Sequence, residues 1–109
     1  MKKLQYLAAS TVLIAAPSAM LAQKKGDAAK GKEVFEQCSA CHAADSADRK
    51  VGPGLKVLFK KAKLESTGKP ANDANVIEKI NEGGNGMPPY KDSLSADERA
   101  NLLAYLHTL

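Results

Sequence analysis

The chain has 109 residues, two cysteines, two histidines, no tryptophan and a formal net charge of +4 at pH 7. That length carries one domain, and a domain so small is a poor candidate for a self-sufficient core without a staple or cofactor. Nucleic-acid binding is disfavoured because the lysines have no interleaved aromatics, and a tetrahedral zinc site because the adjacent Cys41 and His42 would both have to bind.

Residues 1–22 read as a secretory signal. Lys2 and Lys3 form a basic start, an apolar run extends from Leu7 to Ala16, Pro17 breaks it, and the small residues Ser18 and Ala19 follow. Cleavage is placed after Ala22, although Met20 stands where a small residue is usual. No cysteine follows, which argues against lipid anchoring. The other reading is an uncleaved membrane anchor, but the apolar run falls short of the roughly 20 residues that a spanning helix needs. Residues 23–109 are then the exported, periplasmic domain, brought closer to neutral by the loss of Lys2 and Lys3.

Asp27 is a good N-cap, and Gly31, Val34, Phe35 and Cys38 follow the i, i+3, i+4, i+7 pattern of an amphipathic helix. Gly31 costs about 1 kcal/mol in a helix interior relative to Ala, and close approach of another helix would be a reason to keep it. The helix leads into Cys38-Ser39-Ala40-Cys41-His42. Cys-x-x-Cys-His is the attachment pattern of a c-type haem. Thiols three residues apart share one side of a helical turn and can add to the two vinyl groups on one porphyrin edge. The next residue supplies an imidazole to the iron. A thioredoxin-like disulfide would need a strand–helix setting, and the chain has no strand alternation. One covalent haem c on Cys38 and Cys41, with His42 on its iron, is expected. It would give the small core a large apolar plate to pack against.

Residues 43–50 form a polar loop. Val51-Gly52-Pro53-Gly54-Leu55 is a turn. Pro53 lacks an N–H but keeps its carbonyl, which can accept the Nδ1–H of His42 and raise its basicity as a ligand. Leu55 to Leu64 reads as a short basic helix with Leu55, Leu58 and Phe59 on one face. Gly68 and Pro70 break the loop that follows. Asp73 is read as the cap of a helix bearing Val76, Ile77 and Ile80, which stops at Gly83-Gly84.

Residues 83–91 are a glycine- and proline-rich loop holding Met87, the only methionine after the signal. Pro88 pushes it to an extended conformation and, with Pro89, stiffens the segment. Such a loop can present a thioether as the second iron ligand, which raises the reduction potential and closes the coordination sphere. The plainer reading is a core-filling methionine. Ser95 to Glu98 is a capping box opening a last helix with Leu102, Leu103, Tyr105, Leu106 and Leu109. His107, the rival ligand, reads as a surface residue of that helix. Charge is uneven: residues 49–69 hold seven basic residues and one acid, residues 71–109 three basic residues and six acids. That asymmetry can orient a partner or simply mark a solvated face.

Taken together, Gly31 and Phe35, the Cys38–His42 pentapeptide, Gly52-Pro53-Gly54-Leu55, Met87-Pro88-Pro89 and Leu102-Leu103-Ala104-Tyr105-Leu106 resemble the class I cytochromes c, in particular the small soluble monohaem proteins of bacteria. The resemblance spans the chain after the signal. It implies an all-α fold of three to five short helices wrapped around one haem. The first and last helices would cross near Gly31, with Tyr105 against Phe35. His42 and Met87 would be the axial ligands, and the Pro53 carbonyl the partner of His42. The expected function is that of a monomeric, soluble one-electron carrier of a respiratory chain, not an enzyme. Its expected partners are redox proteins: a dehydrogenase or quinol-oxidising complex as donor, an oxidase or reductase as acceptor. The alternatives are a haem subunit of a larger oxidoreductase, or a gas-binding or peroxidase-type protein with an open iron position.

Overall fold

The structure, a computed structural model, describes residues 25–109; the signal expected over residues 1–22 and its expected cleavage position lie outside the described residues. Among the described residues three α-helices form, α1 (Ala28–Phe35), α2 (Asp73–Glu82) and α3 (Ala96–Leu106), with one 3₁₀ turn at Leu58–Lys60. Among the described residues there is no strand, only the isolated antiparallel bridges Lys63–Pro70 and Gly84–Met87, which close loops. The fold is the expected all-α one.

Local capping explains where the helices begin. The Asp27 carboxylate accepts from the Ala29 and Lys30 amides at 2.8 and 3.2 Å. Ser95 and Glu98 form the reciprocal capping box of α3, at 3.1 and 3.0 Å. The cap of α2 is Asn72, not Asp73: the Asn72 side chain accepts from the Asn75 amide at 2.9 Å. Asp73 is instead the first helical residue, where its charge favours the positive end of the helix. The helix stops as expected at Gly83, whose φ of 65° suits a residue without Cβ.

Two elements are shorter than the sequence pattern suggests. α1 ends at Phe35, so Cys38 lies in the turns beyond it, where its amide bonds the Phe35 carbonyl at 2.7 Å. The helix expected over Leu55–Leu64 reduces to the single turn Leu58–Lys60. Val57 adopts φ 57°, which a helix cannot contain, and so short a segment cannot recover the cost of helix nucleation. Tertiary packing decides the segment: Leu55, Leu58 and Phe59 lie against the core, and Leu64 is buried in it.

α1 crosses α3 at Gly31, where a Cβ would come within 1.8 Å of the Asn101 carbonyl oxygen and 2.8 Å of Tyr105 Cβ. The rings of Phe35 and Tyr105 pack beside this crossing with centroids 5.3 Å apart and a 55° tilt. The Asp27 amide donates to Asn101 Oδ1 at 2.8 Å and ties the start of α1 to α3. Phe35, Leu64, Val76, Ile80, Leu94, Leu102 and Leu106 form the buried core, which includes no polar or charged residue among those described. At the far end of α3, His107 Nε2 lies 2.6 Å from Asp73 Oδ1, and its ring stacks on Phe59 with centroids 3.7 Å apart.

Candidate haem site

The core is open on one side. A cavity of about 310 Å³ lies between the Cys38–His42 turn, the Gly52–Leu55 turn, the Met87 loop and helices α2 and α3. Phe35, Leu58, Leu64, Ile80, Leu102 and Leu106 give it an apolar wall. Cys38, Cys41, His42, Pro53 and Met87 all line it.

Backbone turns place the first three. The Cys41 and His42 amides both bond the Cys38 carbonyl, at 3.1 and 3.0 Å, which makes one tight turn of the pentapeptide. The Gly52 amide bonds the Cys41 carbonyl at 2.8 Å, and Lys50 Nζ donates to the Ser39 carbonyl at 3.0 Å. Both thiols are half-buried and unbridged. Burial first, and the neighbouring Cys41 second, push the Cys38 thiol up, so the free chain holds it in the less nucleophilic protonated form.

His42 Nδ1 lies 2.8 Å from the Pro53 carbonyl oxygen, the contact that the turn was expected to make. With Nδ1 engaged there, Nε2 is the nitrogen left to a metal. Nothing in the sequence marks the role of Gly52. A Cβ there would lie 2.5 Å from His42 Cε1, so the glycine lets the turn close against the imidazole.

Met87 sits in a short loop closed on itself: the Gly84 amide bonds the Met87 carbonyl at 2.9 Å and the Met87 amide bonds the Gly84 carbonyl at 3.1 Å. The Tyr90 amide bonds the Ile80 carbonyl at 2.9 Å and returns the chain to α2. Burial, then the charges of Cys38 and Cys41, push the Tyr90 phenol up. His107 is not among the cavity-lining residues; it faces Asp73 and Phe59. Lys79 and Lys61 do line the cavity, although neither stands out in the sequence, because only the folded chain brings them there.

These residues fit a covalent haem. Two unbridged thiols in one turn suit two thioether bonds, an imidazole held at Nδ1 with Nε2 left over and a thioether suit iron, and much of the wall is apolar.

Comparison with known proteins agrees. The family described as "Cytochrome c" matches residues 28–109. Cytochrome c2 of Agrobacterium tumefaciens (strain II Chrys) is 37% identical over 81 residues, covering 69% of this chain and 68% of that protein. Cytochrome c6 of Leptolyngbya boryana is 35% identical over 81 residues, covering 73% and 89%. Among solved structures, cytochrome c6 from the diatom Phaeodactylum tricornutum superposes with a TM-score of 0.60 at 27% identity, covering 76% of this chain and 93% of that one. Cytochrome cH from Methylobacterium extorquens shares the fold, with a TM-score of 0.59 at 24% identity, covering 77% and 100%.

Proposed function

The chain belongs to the cytochrome c family and carries one haem c bound through Cys38 and Cys41; on that premise we propose that it is a one-electron carrier with His42 and Met87 as axial ligands. Bound haem supplies an iron centre that changes charge by one electron. The observation that carries the reading is that His42 and Met87 line the same cavity, so the chain itself can fill both iron positions. A filled coordination sphere leaves no place for a substrate, which favours a carrier over an enzyme or a gas-binding protein.

Each residue has a definite task. The Pro53 carbonyl orients His42 and strengthens it as a donor. The Met87 loop offers a thioether, which raises the potential relative to a second imidazole. The apolar wall excludes water and keeps the site rigid through a change of charge.

Val51, 73% exposed, lines the cavity, as do Lys61, Lys63 and the ion-paired Arg49 and Glu65, a net basic set. An apolar contact with a basic surround suits a redox protein with an acidic docking face. No helix among the described residues is long and apolar enough to cross a membrane. The basic and apolar start of the sequence supports export to the periplasm with cleavage near Ala22, leaving residues 23–109 as the working domain.

Absorption spectra of the ferrous and ferric holoprotein with carbon monoxide and cyanide test the proposal. Spectra unchanged on the timescale of mixing are expected, and prompt binding of either ligand would overturn it.

A further inference from the structure

We propose that Lys79 is a positioning residue for Met87, an ammonium clamp that sets how readily the Met87 loop opens. The inference rests on the reading of Met87 as the second iron ligand. The loop depends on outside contacts to stay in one conformation. Gly83, Gly84, Asn85 and Gly86 all have positive φ, at 65°, 111°, 54° and 88°. Glycine takes such angles at no steric cost and Asn85 at little, so the run is permissive rather than strained. A glycine-rich run loses much conformational entropy when fixed, so contacts from outside it decide how firmly it is held.

Lys79 supplies that hold. Its Nζ lies 3.1 Å from the Gly83 carbonyl oxygen and 3.3 Å from that of Gly84. The Gly84 oxygen is also the acceptor of the Met87 amide, at 3.1 Å. One carbonyl therefore joins the ammonium to the backbone of the ligand-bearing residue. Lys79 is anchored from the other side as well, because its own carbonyl accepts from the Gly83 amide at 2.8 Å. Its neighbour Glu78 pairs with Lys69 at 2.9 Å, so that carboxylate is already engaged elsewhere. A cation at a helix C-terminus also satisfies end carbonyls in an ordinary cap. The difference is that these carbonyls continue directly into the Met87 turn.

Imidazole titration of the ferric holoprotein tests the clamp, since imidazole binds iron only when the methionine yields. The variants are Lys79→Met, Lys79→Gln, Lys79→Arg and Met87→Ala, each followed by guanidinium unfolding. Lys79→Met and Lys79→Gln should bind imidazole about tenfold more tightly than wild type, the size of one lost charge-assisted hydrogen bond. Lys79→Arg, which keeps charge and donors, should stay near wild type, and Met87→Ala should bind tightest. Either charge-removing variant suffices if the other does not fold. A lowered unfolding midpoint with unchanged imidazole affinity in both would reduce Lys79 to a plain helix cap and overturn the proposal. If wild type binds imidazole as tightly as Met87→Ala, the Met87 reading itself fails and the clamp falls with it.

Discussion

Gly52 lies outside the left-handed region, yet a Cβ on it would meet Cε1, Nδ1 and Nε2 of His42 at 2.5, 2.9 and 3.1 Å. Its glycine is needed for space, not for backbone freedom. Gly52→Ala must push the imidazole away from its 2.8 Å contact with Pro53 or bend the turn. Overpacking of this kind costs about 1–3 kcal/mol. We expect an altered Soret circular dichroism signal together with a lower thermal midpoint; an unchanged Soret signal would refute the steric account. Tyr90 offers a pH test. Burial raises its phenol, and thioether formation removes the two cysteine charges that add to the effect. Because the folded value is raised, the contribution of neutral Tyr90 to stability is complete below the ordinary tyrosine pKa of about 10 and is lost as pH rises through the folded value. Denaturant unfolding from pH 9 to 12 should show a flatter alkaline decline for Tyr90→Phe than for wild type. Parallel curves would mean that the phenol is not desolvated in the holoprotein.

At the scale of elements, α1 and α3 touch where Gly31 leaves room for the Asn101 carbonyl. Gly31→Ala gains helix propensity of about 1 kcal/mol but places a methyl 1.8 Å from a backbone oxygen. The clash wins, since backbone cannot swing aside as a side chain can. A net loss of about 2 kcal/mol would lower the midpoint by roughly 10 °C in a domain of this size, measurable by thermal melting of the holoprotein. A midpoint at or above that of wild type would show that the helices separate at little cost. The element scale also shows what a sequence can reveal. Asp27 and the Ser95–Glu98 box were legible because a cap is made within four residues. The Cys38–His42 motif was legible because its chemistry depends on spacing along the chain. The Leu55–Leu64 segment misled because its apolar residues serve the core and cavity wall, not a helix face. Asn72 and Asp73 are adjacent residues of similar capping strength, and nothing local separates them. The roles of Gly52 and Lys79 depend on contacts that exist only after folding.

For the whole molecule, the exposed ion pairs Arg49–Glu65 and Lys69–Glu78 and the exposed His107–Asp73 contact add little to stability. Of the seven buried core side chains among the described residues, all but Leu94 line the cavity. A haem in that cavity would cover these side chains, so Cys38→Ser with Cys41→Ser should abolish covalent attachment and, without haem, the cooperative thermal transition; a sharp transition in the haem-free chain would contradict this. On the proposed carrier reading, the basic stretch 49–69 and the acid-rich stretch 71–109 would steer an acidic partner. Electron-transfer rates with such a partner should fall as ionic strength rises, because screening shortens the reach of the field to about 8 Å at physiological salt. The central claim is that His42 and Met87 together make the chain a carrier. A spectroscopic redox titration of wild type and Met87→Ala tests it most directly. We predict a reversible one-electron wave, about 59 mV per decade, with the wild-type midpoint well above that of Met87→Ala. Coincident midpoints would contradict the account.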